Sequence, residues 1–326
     1  MKKLLSIMVV CLMVVGLCGC SSSSDDKTLH IGVIQYAQHP ALDASYKGFI
    51  AKLKKLGYST KKGNLKVDYK NASGDLSNCS TIAEKFVNDN VDLIYAIATP
   101  AAQAAANKTS DIPIVCCAVT DPKSSKLVKS NKKPGTNVTG ASDLNPVAKQ
   151  IDLLTKLVPT AKKIGIMYCG SESNSIYQAK LAAKQIKKMG LTSQEATVSE
   201  SNQIQQVTES LVGKVDAIYV PTDNLLADGM TTLSNVTNQN KIPVITGEEN
   251  MVGNGGLATY GINYNKLGNI AGKQAYDILV KDKKVSEMAI QYLPAKDCTL
   301  TINKTTVKAI GITVPTDLDK DATYVE

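Results

Sequence analysis

One strand-and-helix pattern occurs twice in this 326-residue chain, and that repetition constrains the fold more than any other feature. Ile31-Gly32-Val33-Ile34 leads through a polar loop to a helical stripe at Leu42, Tyr46, Phe49, Ile50, Leu53 and Leu56, closed by Gly57. Ile164-Gly165-Ile166-Met167 leads likewise to Ile176, Ala179, Ala183 and Ile186, closed by Gly190. The interval from strand to closing glycine is 26 positions in both. Apolar residues at helical spacing mark the buried face of each helix, and glycine is the usual residue just past a helix end. The match continues in the same order. Val91-Asp92-Leu93-Ile94-Tyr95 is answered by Val215-Asp216-Ala217-Ile218-Tyr219, and Ile112-Pro113-Ile114-Val115 by Ile242-Pro243-Val244-Ile245. Strands alternating with helices build a parallel sheet covered on both faces. The expected fold class is therefore α/β, with two doubly wound parallel-sheet lobes joined by a multi-crossover hinge.

The joining segments set the expected boundaries. Asn137 to Ser142 leaves the first lobe as a strand, and Asn145-Pro146 caps a helix carrying Val147, Ile151 and Leu154. After a further strand at Leu257 to Gly261, a long helix with Leu267, Ile270, Ala271 and Ile278 returns to the first lobe. Lobe one is expected to hold 29–142 plus about 262–284, and lobe two 143–261 plus about 285–326.

Ligands of open parallel sheets bind beyond the carboxyl ends of the strands. In lobe one this region holds Gln35 and His39, then Thr99-Pro100-Ala101, then Ala118 and Thr120. In lobe two it holds Glu172, Asn174 and Ser175, then Asp223 and Asn224, then Glu248. Thr99 is expected as a helix N-cap with Pro100 in the first turn, which leaves free N–H groups at a positive helix end. The chain contains no arginine, so the usual bidentate carboxylate clamp is absent. A carboxylate is then expected to rest on the Thr99 and Thr120 hydroxyls and backbone N–H groups, and an ammonium on Asp223. An anion-favouring lobe opposite an acidic lobe suits a zwitterion. The competing reading makes Thr99 and Asn224 helix caps and Asp223 a residue that only complements a helix end.

Composition excludes other classes. The net charge of +8 falls to +6 without Lys2 and Lys3, and the remaining lysines are spread along helix faces, with no basic, aromatic-interleaved patch for nucleic acid. Beyond Cys20, the cysteines are Cys79, Cys116, Cys117, Cys169 and Cys298, an odd number without CxxC pairing. With only His30 and His39 beside them, no metal site, cofactor site or disulfide framework is expected. At the N-terminus, Lys2-Lys3 and the apolar run Leu4 to Leu17 have the form of a secretory signal. Leu17-Cys18-Gly19-Cys20 resembles a bacterial lipobox, and Ser21 to Asp26 reads as a flexible leash. Residues 1–19 are expected to be removed, Cys20 to carry lipid, and 20–28 to tether the chain outside the cell membrane.

On Ile31-Gly32-Val33-Ile34-Gln35, His39-Pro40-Ala41-Leu42-Asp43, Ala98 to Gln103, Asn137-Val138-Thr139-Gly140 and Val220 to Asn224, the chain resembles the substrate-binding lipoproteins of bacterial ABC importers, in the tryptophan/tyrosine-binding branch. The resemblance implies the type I periplasmic-binding-protein fold, an ABC permease as partner, and a non-enzymatic monomer that captures a small ligand. An amino acid, aromatic by preference, is the implied ligand. By analogy with leucine-type relatives, Thr99 and Ala118-Val119-Thr120 are implied to hold its carboxylate. With no Trp and two Phe, an aromatic wall would come from Tyr36, Tyr168 or Tyr264. The alternatives are a ligand-sensing lipoprotein, a binder of another small molecule such as a nucleoside, and a two-thiol racemase using Cys117 and Cys169.

Overall fold

A computed structural model describes residues 28–326. The expected signal segment and Cys20 lie outside the described residues.

The first half runs β1 (Leu29–Gln35), α1 (Pro40–Lys55), β2 (Leu65–Asn71), α2 (Leu76–Asn88), β3 (Leu93–Ile97), α3 (Thr99–Lys108), β4 (Ile114–Cys117) and β5 (Val138–Ser142). The second half runs α4 (Val147–Leu157), β6 (Lys163–Cys169), α5 (Ser173–Lys188), β7 (Thr192–Val198), α6 (Ile204–Glu209), β8 (Ala217–Val220), α7 (Asn224–Asp228), α8 (Met230–Gln239), β9 (Val244–Thr246), α9 (Glu249–Gly253) and β10 (Ala258–Gly261). Then come α10 (Tyr264–Leu279), β11 (Gln291–Tyr292), β12 (Thr299–Asn303), α11 (Lys304–Ile310), α12 (Thr316–Asp319) and β13 (Ala322–Val325). The glycines that close the repeated helices, Gly57 and Gly190, sit at φ 98° and 76°, the left-handed conformation that glycine adopts without a Cβ penalty.

The duplication is visible in strand order. One sheet runs β11-β5-β4-β3-β1-β2 and the other β13-β12-β10-β9-β8-β6-β7. Thus β2-β1-β3-β4-β5 is repeated as β7-β6-β8-β9-β10, with parallel pairing throughout both sets. Lobe two then adds β12 antiparallel to β10. The central strands β3, β4, β8 and β9 are buried along their whole length, as continuous apolar runs under helices on both faces require. The second sheet separates two apolar cores: Ile151, Leu154 and Ile186 lie in one, Ile204, Leu233 and Met251 in the other.

The chain passes between lobes after β5, after β10 and after β11. Helix α10 returns to lobe one and packs along α1. Its backbone comes so close that a Cβ at Gly268 would stand 2.0 Å from the Ser45 carbonyl oxygen. The last crossing falls later than the expected position near 284. Residues 285–292 stay on lobe one, where Gln291 and Tyr292 pair with Ala141 and Ser142 and Ile290 is buried in the core. A two-residue strand has no alternation to reveal it in a sequence.

Candidate functional site

The loops at the carboxyl ends of the strands face one another across the cleft. His39, at the start of α1, joins its Nε2 to Asn224 Oδ1 of lobe two at 3.3 Å. The Gln178 side chain, on α5, donates to the Thr120 hydroxyl at 3.0 Å. Ser125 and Ser173 hydroxyls meet at 3.4 Å. The lobes are therefore closed on each other.

His39, Ala118, Asn174, Asp223, Asn224 and Glu248 converge on one narrow cavity of about 10 Å³, the room of a single water. Asp143 and Tyr264, one from each of the first two crossings, complete its wall. Asn224 also lines an outer chamber of about 590 Å³ between the lobes.

Lobe one prepares its side through the backbone. Ala98 and Ala118 follow β3 and β4 at φ 81° and 56°, each a conformation that costs an L-residue on the order of 1–3 kcal/mol and gathers at ligand clamps. The N-cap of α3 is Ala98 and not Thr99: helical geometry begins at Thr99, and no side chain caps it. The Thr99 hydroxyl is thereby released, buried and without a hydrogen-bond partner. Asn145 does not cap α4 either. Pro146 takes that position, and the Asn145 amide donates instead to the Asp143 carbonyl and the Thr222 hydroxyl at 3.1 and 3.2 Å.

In lobe two the acids divide into two groups. Asp223 is an N-cap with both oxygens engaged, by Leu226 N–H at 2.8 Å and Cys169 N–H at 2.6 Å. Glu248 caps α9, accepting from Asn250 and Met251 N–H, both at 2.9 Å. Glu172 differs. Its Oε2 accepts from the Asn224 amide at 2.6 Å and the Asn174 amide at 3.0 Å, while Oε1 is buried and unpartnered. Burial, reinforced by the negative charge of Asp223, pushes the Glu172 carboxyl up to about 7. Burial pushes Asp143 up to about 6 even though Tyr264 and Thr120 hydroxyls donate to it, both at 3.1 Å.

Several expected contributors have other partners. The Gln35 amide holds the start of α1 through Asp43 at 2.7 Å and the Ala37 carbonyl at 2.9 Å. Thr120 donates to Asp143 and accepts from Gln178. Pro100 lines a separate lobe-one groove with Gln103, and Ala101 is buried. The Ser175 hydroxyl accepts from Asn174. Tyr168 packs in the lobe-two core with its hydroxyl on Glu195 at 2.7 Å, away from the cleft. Sequence reasoning passed over Asp143 and Gln178. Asp143 lies on a crossing, and a duplicated two-lobe chain puts its crossings at the floor of the cleft, which is the signal that marks it.

Cys117 and Cys169, the two thiols weighed for a racemase, are both free and buried. Burial pushes Cys117 up to about 12 and raises Cys169 as well, keeping both as neutral thiols. Among the described residues, no His/Cys/Asp/Glu group is arranged to hold a metal.

Two parallel-sheet lobes that close on buried, partly unpartnered polar groups, with crossings for a hinge, define a ligand-capture protein. The chain belongs to the ABC transporter substrate-binding protein family, whose model matches residues 30–326. It is 44% identical over 325 residues to the tyrosine-binding protein of Clostridioides difficile (strain R20291), covering 95% of this chain and 93% of that one. An ABC domain from Streptococcus pneumoniae in complex with L-Trp superposes with a TM-score of 0.88 at 37% identity, covering 92% of this chain and 100% of that one. The ligand-free, open structure of a substrate-binding protein with adhesive properties from Clostridium difficile gives 0.70 at 43% identity, covering 91% and 98%. The architecture is the type I periplasmic-binding-protein fold.

Proposed function

We propose that this chain is the extracytoplasmic, Cys20-lipidated capture component of an ABC importer, without catalytic activity, that binds an aromatic amino acid as a monomer and delivers it to a permease. The similarity to the tyrosine-binding protein and to the L-Trp complex supports the ligand class. One observation carries the assignment to the cleft. His39 Nδ1, Thr99 Oγ1, Glu172 Oε1 and Asn174 Oδ1 are buried without hydrogen-bond partners. Each such group costs about 1–3 kcal/mol unless a partner arrives, and a zwitterion supplies both donors and acceptors.

In this reading Glu172, rather than Asp223, receives the ammonium, because Asp223 already has a backbone donor on each oxygen. The carboxylate meets the Thr99 hydroxyl and the backbone N–H groups turned by Ala98 and Ala118. Mass spectrometry of the small molecule released on denaturing freshly purified protein tests the proposal. Tyrosine or tryptophan is expected; a sugar or nucleoside overturns it.

Thr99→Val separates a binding role from a structural one. The hydroxyl has no protein partner, so the isosteric apolar residue should raise ligand-free stability by about 1 kcal/mol. Affinity should fall by about tenfold or more, the worth of a charged hydrogen bond. Calorimetry and thermal melts read both signs; unchanged affinity removes Thr99 from the site.

A further inference from the structure

The inner cavity, at about 10 Å³, takes no aromatic ring. The outer chamber, about 590 Å³, has the volume, and it shares Asn224 with the inner cavity. Asn224 also holds the Glu172 carboxylate, so the chamber begins beside the expected ammonium position. Its walls combine apolar and polar groups. Tyr36, almost wholly buried, comes from the end of β1 in lobe one, and Leu225 comes from α7 in lobe two. Asn71, Glu200 and Asp228 supply polar atoms, and no lysine lines the chamber.

The two acids are not equivalent. The Glu200 side chain caps a short helical turn by accepting from the Gln203 backbone N–H. Asp228 is exposed and has no hydrogen-bond or ion-pair partner among the described residues. A carboxylate accepts hydrogen bonds and donates none when ionised. An acid free in the wall of a ring-sized chamber therefore favours a ring that carries a donor.

Resting on the amino-acid reading above, we infer that the ligand's side chain lies in this outer chamber between Tyr36 and Leu225, and that Asp228 selects rings bearing a hydrogen-bond donor, a phenol or an indole, over phenyl. The ammonium stays at Glu172, which Asn224 joins to the chamber, and Asn224 marks the division between head group and ring.

Calorimetry with L-tyrosine, L-phenylalanine, L-tryptophan and 3-benzothienyl-L-alanine, the last a tryptophan isostere without the ring N–H, tests this. The wild-type chain should prefer each donor-bearing ligand over its partner by about tenfold, the effect of one charged hydrogen bond open to water. Asp228→Ala should remove most of that preference while leaving L-phenylalanine affinity unchanged. Leu225→Trp, a half-exposed position, should weaken all four by tenfold or more by filling the chamber. A preference that survives Asp228→Ala overturns the role of Asp228. Wild-type affinity in Leu225→Trp overturns the placement of the ring. Failure of the wild-type chain to bind any of the four instead overturns the amino-acid reading itself.

Discussion

Glu172→Gln is expected to weaken amino-acid binding at pH 7.5 by roughly 10- to 150-fold, the range of a charged hydrogen bond worth ~1.5–3 kcal/mol. The substitution keeps the shape of the side chain and an oxygen where Oε2 now accepts from Asn224 and Asn174, places an NH2 group at the unpartnered Oε1 position, and removes the charge. The pH profile gives a second, independent reading. With its carboxyl at about 7, Glu172 is largely protonated in weak acid before ligand arrives. Capture of an ammonium must then release that proton, so affinity rises with pH up to about 7 and flattens above it. Between pH 5.5 and 7.5 one such group gives a gain on the order of tenfold.

The effect on folding has the opposite sign. A carboxyl raised in the folded protein opposes folding once it ionises. Ligand-free stability should fall as pH rises from the ordinary glutamate value of about 4.3 towards 7, and level off there. Asp143, raised to about 6 by burial, and Asp223, also raised, add to that fall. Glu172→Gln should flatten the binding profile and soften the stability profile. Calorimetry across this range, in two buffers of different ionisation enthalpy, counts the released proton. A variant with wild-type affinity and an unchanged slope would move the ammonium site elsewhere.

A large effect on stability is expected at Gly268. A Cβ there would stand 2.0 Å from Ser45 O and 2.9 Å from Phe49 N, and one at Gly48 would stand 2.1 Å from Asn265 O. These are backbone atoms, so α1 and α10 must move apart to admit a methyl group. Overpacking of this kind costs about 1–3 kcal/mol and sometimes more. Against about 2–4 °C per kcal/mol, Gly268→Ala should melt roughly 2–12 °C below wild type. The shift would also disturb the core beneath, where Phe49 stacks on Tyr95 with centroids 3.8 Å apart and Tyr95 donates to Ser45 O. Gly253→Ala is the control. A Cβ there meets nothing within 4 Å, so stability should stay within about 0.5 kcal/mol. Thermal unfolding followed by circular dichroism compares the three; equal melting of Gly268→Ala and wild type would mean that the helices are not held at this distance.

The sequence made the duplicated lobes legible because each repeat carries its own periodicity. The stripes of α1 and α5 and the runs of β3 and β8 can be recognised without knowing what they touch. The strand-to-helix switch at Thr99 was legible for a related reason, since a continuous apolar run broken by Thr-Pro marks where a buried strand gives way to a helix. What was hidden depends on the crossings. Nothing near Gln291 and Tyr292 announces a strand, because pairing with β5 exists only once the chain has already passed between lobes twice. Glu172 was visible as one acid among several. Its distinction from Asp223 and Glu248 lies in which oxygens the backbone N–H groups reach, a matter of helix-start geometry.

Asp143 bonds Tyr264 from the second crossing and Thr120 from lobe one, and Thr120 in turn accepts from Gln178 of lobe two. The same carboxylate lines the inner cavity. If the ligand is held at the proposed site, fulcrum and load share atoms in this molecule. In a clamp whose grip sits at the end of a long arm, jaw and joint are independent parts. Here a change to the grip at Asp143 is also a change to the joint, so mutations that alter selectivity at that wall should alter the opening equilibrium with it, whereas those in the outer chamber at Asp228 leave the joint alone.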